Sequence, residues 1–496
     1  MTVQHDRNVA PVAHPDRFFI GGEWVKPSTD SSLAIIDPAT EELYFRAAEA
    51  QAADVSNAVG SARRAFDEGP WPRLTHAERA EFLTAIAAGL RARTDDGAKI
   101  WSHETGVLFA VADGVGERAG DVFDFYAGLA DTYSFEEQVT PTMGGDHGLL
   151  VREPVGVVGM IVPWNSPLVQ IPSKLAPALL AGCTVVVKLA PEAPAHGYLL
   201  AEIVEQAGLP PGVVNVVTAD REVSELLVRD PRVDKVGFTG STAAGRRIAS
   251  LCGERIARVS LELGGKSAAV ILDDYDLEQA AHVIAEAETL LTGQVCSSLT
   301  RIVVSRGRHD EFVDALASVF GGMTLGNPFD EQTQMGPLAM RRQRDRVESY
   351  IAKGIAEGAT LAAGGGRPVH LDRGWYIEPT VFGNVDNSST IARDEIFGPV
   401  LSVIPAADEC DAVAIANDSI YGLNASVFTN DMERAIDVSR RLRSGTVGHN
   451  AFRSDSGVSF GGFKQSGIGR EGGVDGLLPY LETKLMILDG HPTSEE

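Results

Sequence analysis

The sequence predicts an α/β fold in which parallel sheets carry helices on both faces. Three observations predict it. Continuous apolar runs such as residues 155–162 (VGVVGMIV) read as strands buried on both faces. Strand-like and helix-like segments then alternate from residue 155 to 251, and again after Gly264, as parallel connections require. At 496 residues, 44% hydrophobic and 22% charged, the chain is long and apolar enough for two or three cores.

Taken in order, residues 18–25 (FFIGGEWV) read as a strand around a Gly-Gly turn. Helical spacing follows at 54–66 and 75–93, the second opened by the capping-box pair Thr75 and Glu78, and continues through 113–132. The alternating region has strands at 155–162, 184–188, 213–217 and 235–238. Its helices lie at 172–181, 195–207, 223–228 and 242–251. Beyond Gly264 come strands at 268–272 and 300–304 and helices at 277–291, 310–319, 340–357 and 411–417. The apolar tail at 477–488 can pair as a strand, and no internal repeat or low-complexity linker is evident.

A formal net charge of −25 repels nucleic acid and anionic membranes, so neither is expected as a partner. The four cysteines, Cys183, Cys252, Cys296 and Cys410, form no Cys-x-x-Cys pair and no zinc-type spacing. A reducing compartment suits so few cysteines. Residues 1–16 lack the apolar core of a secretory signal, and the longest apolar stretch, 175–187, is too short and broken to span a bilayer. A cytoplasmic protein without a metal centre is expected.

Several short motifs carry chemistry, each ambiguous alone. Cys296, in Gly293-Gln294-Val295-Cys296, is either an exposed nucleophile or a buried structural thiol. Glu262, in LELGGK, is a carboxylate among leucines, suited to general-base work or to a strand-end ion pair. Asn165, in Pro163-Trp164-Asn165-Ser166-Pro167, offers an amide to an oxyanion or simply shapes a turn. Gly240, Ser241 and Gly245, in FTGST and beyond, make a strand–turn–helix that binds phosphate or caps the helix. Lys188 ends a buried strand, and Glu395 and Phe397 flank a turn in EIFGPV, where a carboxylate and a ring can meet a ribose and a flat base.

As a set, LELGGK, GQVC, PWN, FTGST, EIFGPV and FGGFKQSGIGRE resemble the aldehyde dehydrogenase superfamily in content and order, from about Phe18 to Ile487. Glu262 and Cys296 stand 34 residues apart, as the family's base and nucleophile do. The resemblance implies an aldehyde dehydrogenase-like fold: a Rossmann-type cofactor domain (1–132 and 153–264), an α/β catalytic domain (265–470), and a small β oligomerisation arm with tail (133–152 and 471–496). It implies oxidation of a small-molecule aldehyde to a carboxylic acid, in a homodimer or homotetramer. Cys296 as thiolate attacks, Asn165 and the Cys296 N–H hold the oxyanion, and Glu262 activates the water that hydrolyses the thioester. NAD is the expected cofactor, NADP the second possibility. Lys188 and Glu395 would hold riboses and Ser241 a phosphate, with Gly240, Gly245, Trp164 and Phe397 completing the cofactor site.

The chain departs from the family pattern at Lys188-Leu189-Ala190-Pro191-Glu192, where the ribose-side glutamate is displaced by one position. Ser166 and Ser173 stand where bulkier side chains are usual and Ser297 and Ser298 follow Cys296; so few large aromatics imply a roomy pocket for a bulky or terpenoid aldehyde. Arg453, near Asp455, could recognise the far carboxylate of a semialdehyde or pair with Asp455 at the surface. The rival readings are a CoA-acylating dehydrogenase and a non-catalytic scaffold; Glu262, Cys296 and Asn165 weigh against both.

Overall fold

The computed structural model describes residues 9–455 and 457–490. Residues 1–8 and 491–496 of the expected first and last segments, and Ser456 of the Arg453 loop, lie outside the described residues.

The first sheet has eight strands, in the order Gly467–Ile468, Arg258–Glu262, Lys235–Thr239, Val157–Ile161, Thr184–Leu189, Val214–Thr218, Phe18–Ile20 and Glu23–Val25. The middle five are parallel. The Phe18–Val25 hairpin and the Gly467–Ile468 strand close the two edges antiparallel. Val158, Met160, Val185 and Val187 pack into one core, while Val157, Ile161, Val186 and Val236 pack into another on the opposite face. This alternation is the period-two side-chain pattern of a strand covered on both sides. From Val157–Ile161 the chain adds strands first to one side and later to the other. Such a reversal opens a crevice at the carboxyl ends of the strands, where ligands of α/β sheets bind.

The second sheet has seven strands, in the order Thr360–Ala363, Thr380–Gly383, Val400–Ala406, Arg301–Ser305, Ala268–Ile271, Asn424–Phe428 and Thr446–His449. All its pairs are parallel except the first. A separate three-stranded antiparallel sheet joins Glu136–Val139, His147–Pro154 and the tail strand Leu481–Leu488. No described helix is long and apolar enough to cross a membrane.

Several elements differ from expectation. The helix expected at 172–181 starts at Pro167 and carries Pro172 and Pro177 inside it. Proline suits the first helical turn, and nearly every residue of this helix is buried, so packing outweighs the two lost N–H donors. Helix Thr94–Thr105 was not expected from its polar composition; Ile100 and Trp101 bury its inner face. Helix Met432–Arg441 buries only Ala435 and Val438, too few to show a period. The helix expected to reach residue 291 stops at Thr289, because Leu291 and Thr292 are left-handed (φ 50° and 56°).

Candidate active site

Three loops converge beyond the Arg258–Glu262 strand. The strand ends at Glu262 and continues through Leu263-Gly264-Gly265. A Cβ on Gly265 would stand 2.3 Å from the backbone carbonyl oxygen of Cys296. A Cβ on Gly264 would stand 2.2 Å from Oε2 of Glu395. The glycine pair therefore lets the base-bearing strand, the cysteine loop and the Glu395 loop come together. The Gly265 N–H also donates to Glu395 Oε1 at 3.2 Å.

The cysteine loop is held from both sides. Asn165 Nδ2 donates to the carbonyl of Gln294 at 3.0 Å, and the Asn165 carbonyl accepts from Trp101 Nε1 at 2.8 Å. Gln294 Oε1 accepts from the Ala339 N–H at 3.0 Å, and Thr292 Oγ1 donates to the Gly336 carbonyl at 3.1 Å. These bonds fix a backbone that passes through consecutive left-handed residues, where side chains other than glycine are strained. An amide carries two N–H donors, so Asn165 keeps a second one after bonding Gln294.

Glu262 is 3% exposed, and its Oε2 has no hydrogen-bond partner among the described residues. Gly461 leaves room for its other oxygen, since a Cβ there would stand 2.7 Å from Oε1. Burial, then the carboxylate of Glu471, raise the Glu262 carboxyl well above its ordinary range; Lys174 and Arg470 oppose this. Burial, then the carboxylates of Glu395 and Glu262, push the Cys296 thiol up to about 12. Both causes favour the thiol form of Cys296 over the thiolate. Burial also raises Glu395 to about 7.

Sequence reasoning missed Lys174 and Glu471. Lys174 Nζ lies 2.7 Å from Glu471 Oε1 and donates to Thr239 Oγ1 at 2.6 Å, with Lys174 wholly buried. This buried ion pair stands beside Glu262 and acts on its charge in both directions. The available signal was one lysine inside the apolar run of helix Pro167–Ala181.

The expected cofactor residues line the carboxyl ends of the first sheet. Lys188 ends the Thr184–Leu189 strand, is 6% exposed, and makes one long bond, to the Ala219 carbonyl at 3.5 Å. Burial lowers its ammonium to about 8. A buried ammonium with spare donors at such an edge fits a ribose hydroxyl. Ser241 caps helix Thr242–Glu254, its Oγ accepting from the Ala244 N–H at 3.3 Å. Gly240 lies against the Phe238 ring, and Gly245 lets the same helix pack on Leu263. Trp164 and Phe397 meet edge-to-face, with ring centroids 5.4 Å apart. Phe397 is left-handed (φ 63°), and its carbonyl accepts from Gln343 Nε2 at 2.6 Å.

The departures from the family pattern have definite places. Glu192 pairs with Arg342. Ser166 is buried at the start of helix Pro167–Ala181. The hydroxyl of Ser173 donates to the Gln170 carbonyl at 3.0 Å and to Glu471 Oε2 at 3.2 Å, so it serves the buried pair. Ser297 is buried, and Ser298 Oγ donates to Glu288 Oε2 at 2.6 Å. Asp455 accepts from the Gly457 N–H, and among the described residues it forms no ion pair with the exposed Arg453.

A family model described as the aldehyde dehydrogenase family matches residues 24–486. The chain is 43% identical over 473 residues to geranial dehydrogenase of Castellaniella defragrans, covering 95% of this chain and 98% of that protein. It is 45% identical to an aldehyde dehydrogenase of Mycobacterium tuberculosis solved with NAD+, at a TM-score of 0.93, covering 96% and 99% of the two chains. It is 40% identical to aldehyde dehydrogenase C of Pseudomonas syringae, a mutant solved with NAD+ and octanal, at a TM-score of 0.92 and 96% and 98% coverage. With its family model spanning nearly the whole chain and its site assembled from the same motifs, this chain belongs to the aldehyde dehydrogenase family.

Proposed function

We propose that the protein oxidises an apolar, medium-sized aldehyde to its carboxylic acid, with NAD as hydride acceptor and Cys296 as nucleophile. The observation that carries this reading is the convergence of Cys296, Glu262, Asn165 and Glu395 on the Gly264–Gly265 turn. Bound in the crevice, NAD would supply the hydride acceptor; Lys188 and Glu395 would hold its riboses, the N-terminus of the Ser241-capped helix would meet phosphate, and Trp164 and Phe397 would wall the nicotinamide end.

The Cys296 sulfur gives up its proton to solvent and attacks the aldehyde carbon, giving the alkoxide of a thiohemiacetal. The free N–H of Asn165 and the Cys296 backbone N–H face the developing oxyanion, and Gln294 fixes the amide's orientation. Loss of hydride leaves a thioester on Cys296. Glu262, ionised once pH passes its raised pKa, takes a proton from water, which attacks the thioester and releases the acid. The Lys174–Glu471 pair sets the charge around that base.

A relative named geranial dehydrogenase and another solved with octanal support an apolar substrate, bulky or terpenoid aldehydes included. The three-stranded sheet ending in Leu481–Leu488 is the arm through which copies of the chain associate. The first sheet with its helices is the cofactor domain, and the second is the catalytic domain.

The test is NADH formation by purified protein on octanal, geranial, benzaldehyde and succinic semialdehyde, with NAD or NADP and without CoA. Turnover of the apolar aldehydes with NAD, lost in Cys296→Ala, is expected. A strict requirement for CoA would overturn hydrolysis by Glu262. Preference for succinic semialdehyde would overturn the substrate class and move recognition to Arg453.

A further inference from the structure

We propose that Glu288, buried beneath the nucleophile's loop, is a positioning residue that fixes Cys296 through Ser298. Glu288 is the penultimate residue of helix Leu277–Thr289 and is 1% exposed. A carboxylate there is opposed twice. Burial removes its water, and the helix C-terminus presents partial negative charge to it. Burial accordingly raises this carboxyl, to about 8.

One hydrogen bond and the charge of a nearby ammonium offset part of that cost, while Glu288 Oε1 has no hydrogen-bond partner among the described residues. Ser298 Oγ donates to Glu288 Oε2 at 2.6 Å. The Val400 N–H and the Lys266 ammonium both favour its charged form. Lys266 is 1% exposed, and its Nζ has no hydrogen-bond partner among the described residues. Its charge is therefore balanced through space, with Glu288 the largest favourable neighbour and Glu395 and Asp394 also contributing.

Each segment continues into a part of the site. Lys266 directly follows the Gly264–Gly265 turn, Ser298 lies two residues beyond Cys296, and Val400 follows the Glu395–Pro399 loop. The Ser298–Glu288 bond thus ties the cysteine loop to the end of helix Leu277–Thr289, with the Lys266 ammonium acting on the carboxylate's charge through space. Upstream of Cys296, Gln294 is anchored by Asn165 and Ala339. Downstream, the Ser298–Glu288 bond is the matching anchor. The loop between leaves Glu288 through the left-handed Leu291 and Thr292, a backbone that persists only where its surroundings over-determine it.

This inference rests on Cys296 being the nucleophile. The test compares full-length Ser298→Ala, Ser298→Thr, Glu288→Gln, the Ser298→Ala/Glu288→Gln double variant and Cys296→Ala. kcat and KM are read separately with octanal and NAD, and thermal midpoints are taken alongside. Ser298→Ala is expected to lower kcat about tenfold, as a sub-ångström displacement of a reacting atom does, with KM for NAD unchanged within about twofold. Ser298→Thr, which keeps the hydroxyl, is expected to recover most of that loss. The double variant is expected to be no slower than the worse single one, since both act on one bond. Ser298→Ala leaves the charges of Glu288 and Lys266 in place, so a failure of Glu288→Gln to fold leaves the test intact. Wild-type kcat in Ser298→Ala, or equal loss in Ser298→Thr, overturns the inference. If Cys296→Ala turns over aldehyde, the nucleophile reading itself fails and the inference with it; if it is inert while Ser298→Ala is unimpaired, only the inference fails.

Discussion

Gly265→Ala is the most direct probe of how the site is assembled. An alanine Cβ would stand 2.3 Å from the Cys296 carbonyl oxygen, and such contacts open beyond 3.0 Å in real structures, so the two backbones must part by at least about 0.7 Å. The Gly265 backbone is not left-handed, so the substitution adds crowding without dihedral strain. The group that must move is the main chain of the nucleophile itself, and the sulfur moves with it. A 1 Å misplacement of a reacting atom costs about a hundredfold, so kcat should fall roughly tenfold to a hundredfold, or about 1.4–2.7 kcal/mol in the barrier. Overpacking should also cost about 1–3 kcal/mol of stability. Gly264→Ala is the control: its Cβ meets the Glu395 carboxylate, the end of a flexible side chain, so KM for NAD should rise more than kcat falls. The assay is steady-state NADH formation with octanal, beside urea denaturation. A Gly265→Ala enzyme with kcat within twofold of wild type would refute the reasoning, since the carbonyl contact would then not govern the nucleophile.

Three further outcomes are expected. Glu262→Gln should keep a rapid first-turnover burst of NADH but lose about a hundredfold or more in steady-state rate, because thioester hydrolysis lacks its base; stopped-flow absorbance separates the phases, and loss of the burst as well would place Glu262 earlier in the sequence. Lys174→Met strands Glu471 in the interior, so unfolding free energy should drop by about 3–5 kcal/mol, and the pH–rate profile should move alkaline as Glu262 loses a neighbour that favours its charge. Glu395 is raised to about 7 from about 4.3 in the unfolded chain, so its stabilisation is complete below about pH 4.3 and lost as pH rises through about 7. Glu395→Gln should therefore stabilise the cofactor-free protein at pH 8, by up to about 3 kcal/mol, and much less at pH 5; equal thermal midpoints of wild type and variant at pH 8 would contradict this.

The site residues were legible as motifs, because close approach leaves a mark in sequence. Glycine at 265 clears the Cys296 carbonyl and glycine at 264 makes room for the Glu395 carboxylate, so LELGGK stands out. The parallel strands at the centre of the first sheet were legible for a similar reason: covered on both faces, they read as unbroken apolar runs. Strands Val400–Ala406 and Asn424–Phe428 and helix Met432–Arg441 were not read: Ser402 and Pro405 interrupt the first, Asn424 and Ser426 the second, and the helix buries only Ala435 and Val438. The family was thus within reach of the sequence, and so was the candidacy of Cys296, Glu262 and Asn165, because both depend on residue type and local spacing. What only tertiary structure decided is how charge is arranged around them. Lys174 meets Glu471 from 297 positions away, and Glu288 lies beneath Ser298 and Lys266 because a helix, a strand end and a loop pack there. Electrostatic environment depends on burial and distance in space, and neither is encoded by neighbours along the chain.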